Sequence, residues 1–509
     1  MKLKYLSTAM VLATLPATGV FAAALDRSGQ SMSAFLQPGN YFEAGLSVLD
    51  PTVEGKEAGG TPTQRKIGDM GNDYMFPSAA LKLQLTDNIS FGLLYDQPFG
   101  ADAKYTGENV FVSSPNDGVL SQKSLSDLST KSIGQLVNAA GASFGPALQQ
   151  VTNQTGGNPA NPTQQEILGA LRQVAMGGNT TVAAGLQKLQ QTQTALNAAK
   201  AYLGSSTGSN STQVEVDSQN LSMVFGFQPN KNLNFYAGPV IQTVKGHVSL
   251  RGQAYSVYNG YDADIKETTG TGWLAGAAYQ IPEIALKASL TYRSEIDHKI
   301  NIKEDLSLLG FPGLTSVLTG LGVDASKLAA LSVDKKTKIT TPQSVNLDLQ
   351  TGIMANTVAF ANVRWVNWKD FSIQPYKFGE LSKILGGAGL VAGKPNGFNL
   401  VEYSDDQWSV NAGVGRKLNE KWAGNVSVGW DSGAGNPVTT LGPTEGYWNV
   451  GFGVQYSPTP ATFISGGVKY FWLGDAKAQT GAQAGTNEYV ASFEDNNAIA
   501  YGLKMGYRF

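Results

Sequence analysis

The last eleven residues set the condition that the rest of the chain has to meet. Ile499, Tyr501, Leu503, Met505, Tyr507 and Phe509 alternate with Ala500, Gly502, Lys504, Gly506 and Arg508. A period of two places the apolar set on one face of a strand and the small or charged set on the other. The same period recurs upstream in Trp448, Val450, Phe452, Val454 and Tyr456, in Trp408, Val410, Ala412 and Val414, and in Ile89, Phe91, Leu93 and Tyr95. Ile284, Leu286, Ala288, Leu290 and Tyr292 repeat it opposite inward Lys287, Ser289, Arg293 and Glu295. Beyond residue 24 no stretch of about 20 consecutive apolar residues occurs, so a membrane form has to be a closed barrel, which pairs every backbone group without helices. A soluble sandwich would alternate too.

Three features weigh against the sandwich. Lys2 and Lys4 precede an apolar run from Tyr5 to Phe21 that ends in Ala22, Ala23 and Ala24, which reads as a secretory signal peptide over 1–24. Trp422 with Trp430, and Tyr470 with Trp472, stand at row ends where an interfacial girdle would fall. The chain stops on Phe509, resembling the C-terminal signal by which the assembly machinery of outer-membrane barrels recognises its clients.

Turn chemistry sets the strand count. Tight connections are expected at 86–88, 228–230, 280–283, 354–356, 418–420 and 457–460, where Asp, Asn and Pro cluster. Strands are expected at 41–53, 75–86, 88–99, 212–228, 231–250, 268–281, 283–302, 337–353, 357–372, 405–418, 420–432, 446–457, 461–475 and 495–509. The prediction is an all-β, fourteen-stranded antiparallel barrel over 41–509, preceded by a segment at 25–40, with both termini periplasmic. An insertion at about 104–211 carries helical periodicity at Thr163–Met176 and Thr180–Leu203 and predicts a helical extracellular loop.

Composition closes off several function classes. A formal charge of -2 without a long basic run argues against nucleic acid. With no Cys and only His247 and His298, the chain offers little for a metal site, a cofactor or a catalytic centre, and no enzyme is expected. The loop at about 303–336 is unusual, because Leu306, Leu308, Leu309, Phe311, Leu314, Val317, Leu318 and Leu321 crowd an otherwise extracellular segment. Such a loop has to fold on itself, pack on its neighbour, or bind something greasy. In strand three, Pro98 and Gly100 spoil a continuous ladder side by side, so a gap in the wall is expected there unless Pro98 simply ends the strand.

At these residues the mature chain resembles the FadL family of outer-membrane long-chain fatty acid transporters. The most specific match is Leu290-Thr291-Tyr292-Arg293-Ser294-Glu295, similar to a family stretch that follows a short periplasmic turn. The segment Leu25-Asp26-Arg27-Ser28-Gly29-Gln30-Ser31, running to Pro38-Gly39-Asn40, resembles the family's N-terminal hatch, which implies that Ser28, Gly29, Phe35 and Leu36 plug the barrel. The stretch from Tyr95 through Pro98, Phe99 and Gly100 to Asp102 resembles the inward kink of the family's third strand.

The resemblance implies passive passage of a hydrophobic molecule, captured by extracellular loops and released sideways into outer-membrane lipid, by a protein that acts as a monomer. It also implies a capture groove, for which Leu306, Leu309, Phe311, Leu314 and Leu318 are the candidates. Arg251 is the candidate for holding a carboxylate. A second basic residue expected before strand ten is replaced by Leu400-Val401-Glu402-Tyr403, which keeps monoaromatic hydrocarbons open as an alternative cargo. A general porin with about sixteen strands and an outer-membrane acyl hydrolase are the rival classes.

Overall fold

The computed structural model describes residues 25–61, 63–114, 122–204, 210–320 and 323–509; the predicted signal peptide and Leu321 lie outside these. Among the described residues the alternating segments form strands β1 Tyr41–Thr52, β2 Tyr74–Gln84, β3 Ile89–Asp96, β4 Gln213–Asn230, β5 Leu233–Leu250, β6 Tyr261–Ile281 and β7 Leu286–Arg293. They continue as β8 Ser344–Met354, β9 Thr357–Val366, β10 Gln407–Lys417, β11 Trp422–Asp431, β12 Tyr447–Thr459, β13 Thr462–Leu473 and β14 Asn497–Arg508. Each pairs antiparallel with its sequence neighbours, and β14 pairs with β1 from Tyr41↔Arg508 to Thr52↔Asn497, which closes the ring. This is the predicted fourteen-stranded barrel, and most strand ends fall within a few residues of expectation. Strand β6 starts seven residues earlier than expected, at Tyr261, whereas β7 ends at Arg293 instead of 302, β8 starts at Ser344 instead of 337 and β9 ends at Val366 instead of 372.

The outward rows carry the large apolar side chains. Tyr501, Leu503, Met505 and Tyr507 are about half exposed, whereas inward Ala498 and Ala500 are buried. In water so continuous an apolar surface would drive association; around a closed antiparallel ring it is the surface that lipid solvates. Cross-strand register aligns Trp365 with Trp408, and Trp430 with Trp448 and Trp472, so the indoles form an outer girdle. Among the described residues no helix is long and apolar enough to cross a membrane.

The insertion after the third strand is more helical than its sequence suggests. Besides the two expected helices, here α3 Gln164–Met176 and α4 Thr180–Gly204, it contains α1 Gln122–Ala140 and α2 Phe144–Thr155. Ile133, Ala140, Leu171, Val174, Val182 and Leu189 give the four helices a core of their own. A capping box starts α3: Glu166 N–H donates to Thr163 Oγ1, and the Glu166 carboxylate accepts from Thr163 N–H. Below this bundle the mouth is filled with aromatic side chains. Tyr258 stacks on Phe378 at 4.3 Å and Tyr105 lies tilted against Phe111 at 4.2 Å, within an apolar core that also contains Trp368 and Phe398.

Candidate functional site

The segment at 25–40 runs inside the ring, and inward polar residues of several strands reach it. Asn346 Nδ2 donates to the Gly29 carbonyl at 2.7 Å, Lys287 Nζ to Leu36 at 2.9 Å, Lys82 Nζ to Gln37 at 2.8 Å and an Arg293 Nη2 to Gln30 at 3.2 Å. Cations that the alternation alone assigns to a wet lumen are thus occupied by peptide carbonyls. Ser28 Oγ donates to Asp96 at 2.5 Å, tying the segment to the end of β3. Phe35 is fully buried, edge-on to Tyr236 at 5.6 Å. Its ring lies over Gly92 and Gly226, where an added Cβ would come within 2.5 and 2.9 Å of it. Leu36 is buried in the same apolar cluster.

Strands β2 and β3 are laddered from Gln84↔Ser90 only as far as Ala79↔Tyr95. Above that rung Met75–Ser78 stay paired with β1 but are not laddered to β3, because the chain turns inward at Gln97–Phe99 and resumes as a short strand, Gly100–Lys104, paired with β4. Proline lacks the N–H that the wall would use. Backbone groups of the kink are satisfied from inside: Arg27 N–H donates to Pro98 O at 2.6 Å, Gly100 N–H to Leu25 O at 3.0 Å and Phe99 N–H to Ser218 Oγ at 2.8 Å. Phe99 then packs edge-on against Trp368 at 5.5 Å. A cavity of about 220 Å³ lies against the gap, with Ser78, Ala79 and Tyr95 on the wall side and Ser28, Lys287 and Arg293 on the lumen side.

The apolar loop divides into two parts. Leu306, Leu308 and Leu318 are buried in the mouth core and Leu314 packs against it. Leu309 is 37% exposed, and Phe311 leans on Tyr202 at 5.5 Å. A groove of about 550 Å³ separates α4 from this loop, lined by Gln190, Thr194 and Ala198 on one side and Phe311 and Gly313 on the other. Of the predicted capture residues, Phe311 alone lines it. The helix side escaped sequence reading because Gln190, Thr194 and Ala198 lie off the apolar stripe of α4.

Arg251 follows directly on β5 and is buried. Its guanidinium grips Asp262 through Nη2, at 2.9 and 2.8 Å from the two carboxylate oxygens, and donates through Nη1 to the carbonyls of Leu250 and Tyr261. The same row continues along the paired strands: His247 Nδ1 lies 2.6 Å from Asp264 and His247 Nε2 2.8 Å from Ser249 Oγ. Those are the residue types of a nucleophile, base and acid, a grouping that neither histidine's sequence context suggested. Ser249 is 1% exposed, however, and its hydroxyl also meets the Asp262 carboxylate that Arg251 holds. A serine that serves as nucleophile directs its proton to the imidazole and faces substrate; this one does neither.

A family model described as "Outer membrane protein transport protein (OMPP1/FadL/TodX)" matches residues 123–509. Among solved structures, a Pseudomonas aeruginosa FadL homologue aligns over 97% of this chain and 96% of its own, with a TM-score of 0.56 at 13% identity. A deletion mutant of the TodX monoaromatic hydrocarbon channel aligns over 97% and 99%, with a TM-score of 0.50 at 10% identity. At such identities the likeness speaks for the fold. No curated protein sequence matches the chain.

Proposed function

The chain belongs to the OMPP1/FadL/TodX family of outer-membrane transport proteins, and from that membership we propose that it carries hydrophobic molecules, long-chain fatty acids first among them, passively across the outer membrane. The observation that carries this reading is the stretch Met75–Ser78, laddered to β1 but not to the kinked third strand, with a cavity directly behind it. Cargo captured between α4 and Phe311 passes the aromatic mouth, reaches this cavity and leaves sideways between β2 and β3. An acyl chain gains about 0.8 kcal/mol for each CH₂ kept out of water, so a route that ends in lipid needs no energy source. Lys287 and Arg293 line the cavity and, although each also donates to a carbonyl of the N-terminal segment, carry the positive charge that an acid headgroup seeks. The N-terminal segment acts as a plug, Phe509 addresses the chain to the barrel assembly machinery, and one chain is the working unit. Catalysis forms no part of this reading, since Ser249 is buried.

A second reading keeps the route and changes the cargo to neutral monoaromatic hydrocarbons. It is favoured by Arg251, whose guanidinium is held by Asp262 and two carbonyls rather than offered to a carboxylate. Both readings are tested by transfer of oleate and of toluene into the bilayer of proteoliposomes. Replacing inward Ser78 with Trp sets an indole in the gap and is expected to slow transfer at least tenfold, while ligand binding at the outer groove persists. Undiminished transfer overturns lateral release; transfer of toluene without oleate selects the neutral cargo.

A further inference from the structure

A second interruption of the wall lies between β6 and β7. The ladder runs from Leu286↔Ile281 to Arg293↔Leu274, and Ser294 N–H still donates to Trp273 O at 2.9 Å. It resumes only at Ile302↔Ile265. Between these points the chain leaves the wall: Ile296–Ile300 pair with Thr337–Thr341 as a separate two-stranded ribbon, and Pro342 separates that ribbon from the eighth strand. Among the described residues, Lys266–Gly272 of β6 have no ladder partner on this side, although Thr268–Gly272 stay paired with β5.

The ribbon folds inward because β6 presents glycine where it lands. A Cβ on Gly270 would stand 2.6 Å from Ile296 Cγ2 and 2.8 Å from His298 Cε1, and one on Gly272 would stand 2.6 Å from Ile296 Cγ1. Real side chains do not approach so closely, so any residue but glycine at either position displaces the ribbon. Once seated, the ribbon joins two apolar bodies: Ile296 enters the cluster built around Phe35 of the plug, whereas Ile300 and Ile339 enter the mouth core. Between them His298 Nε2 meets Gln242 Oε1 at 2.9 Å and Thr341 Oγ1 donates to the same oxygen at 2.7 Å. The opposite face is wet and charged, with Lys338 paired to Asp297 at 2.9 Å. Behind the breach, bounded by Trp273, Ile296, Gln30 and Phe99, the remaining cavity is about 10 Å³, room for one water.

We infer that this ribbon is the internal water seal of the transporter: seated on Gly270 and Gly272, it joins the mouth core to the plug and excludes water and ions from the lumen, so that apolar cargo alone can pass. Gly270 and Gly272 are positioning residues, and Ile296 is the stopper they admit.

The test is ion conductance of the purified chain in planar bilayers, a readout that does not depend on the cargo. The parent is expected to be nearly silent. Gly270→Val with Gly272→Val lifts the ribbon and raises mean current at least tenfold; Ile296→Ala, which adds no bulk, raises it severalfold. Outward-facing Thr271→Val leaves it unchanged. Should the valine pair fail to give a heat-modifiable barrel, Ile296→Ala decides. A parent that already conducts like an open pore overturns the seal, and so do folded variants as silent as the parent. A silent parent that moves neither oleate nor toluene defeats the transport reading and leaves the seal standing.

Discussion

Arg364 of β9 reaches across the lumen to Asp26, its Nε 2.6 Å from one carboxylate oxygen and its Nη2 3.2 Å from the other, with both side chains buried. The same guanidinium donates to Asn346 at 2.7 Å and to Gln30 at 3.1 Å, so one residue gathers the start of the N-terminal segment and two wall strands. Removing one partner of a buried pair costs about 3–5 kcal/mol, because the other charge is left uncompensated. Asp26→Asn is therefore expected to release residues 25–31 from the wall, seen as faster hydrogen exchange there with the strands still protected. Exchange unchanged from the parent means that the pair does not hold the N-terminal segment.

Phe35 and Gly92 make a complementary pair: the ring occupies the space that a side chain at 92 would need. Gly92→Val is expected to destabilise by about 1–3 kcal/mol through overpacking. Phe35→Ala alone is expected to destabilise by about 3–5 kcal/mol through a cavity. Combined, the valine fills part of that cavity, so the double variant should be more stable than the sum of the single effects implies. The temperature at which the folded band disappears on a heat-modification gel reads all three. Simple additivity would show that the two residues do not meet.

The strands were legible because the inside and outside of a barrel impose one period on every wall segment, and Pro98 with Gly100 marked the first break for the same local reason. The second break was not legible. Ser294 and Glu295 are unremarkable in a strand, and the residues that permit the inward fold, Gly270 and Gly272, belong to the neighbouring strand, about 25 positions away in sequence. Arg251 shows the same limit. Its place at the outer end of β5 could be read, but Asp262 pairs with it across β6, and nothing in a single strand's pattern announces a cross-strand partner. Helices α1 and α2 were missed because residues that favour turns stand in them: Ser124, Ser126, Ser129 and Ser132 in α1, and Gly145-Pro146 in the first turn of α2.

The outer groove makes a binding prediction. Phe311 is the large apolar side chain facing α4 across it, propped by Tyr202. Phe311→Ala removes much of the apolar surface available to an acyl chain, and about 1.4 kcal/mol of lost contact corresponds to a tenfold weaker Kd. Fluorescence titration with a fluorescent fatty acid is expected to show at least that loss. Ala198→Trp, which fills the groove from the helix side, should have a similar effect. Affinity unchanged in both variants would move capture elsewhere.

The loop between β11 and β12 carries a pH dependence of calculable sign. Glu445 Oε1 accepts from Gly435 N–H at 3.1 Å, and its carboxylate covers Gly433 so closely that no side chain fits there. Burial, more than its acidic neighbours Asp431 and Asp405, pushes this carboxyl up from the ordinary 4.5 to about 7. A raised carboxyl pKa means that the folded loop binds its proton more tightly than the unfolded loop does. The stabilisation is complete below about 4.5 and is lost as pH rises through about 7. Hydrogen-exchange protection of residues 432–446, corrected for the intrinsic rate, is expected to be higher at pH 5 than at pH 8. Glu445→Gln keeps a neutral group of nearly the same shape at both values, so its protection should change less between them than the parent's does. A parent loop equally protected at both pH values, or a glutamine variant that keeps the parent's pH dependence, would remove Glu445 as the cause.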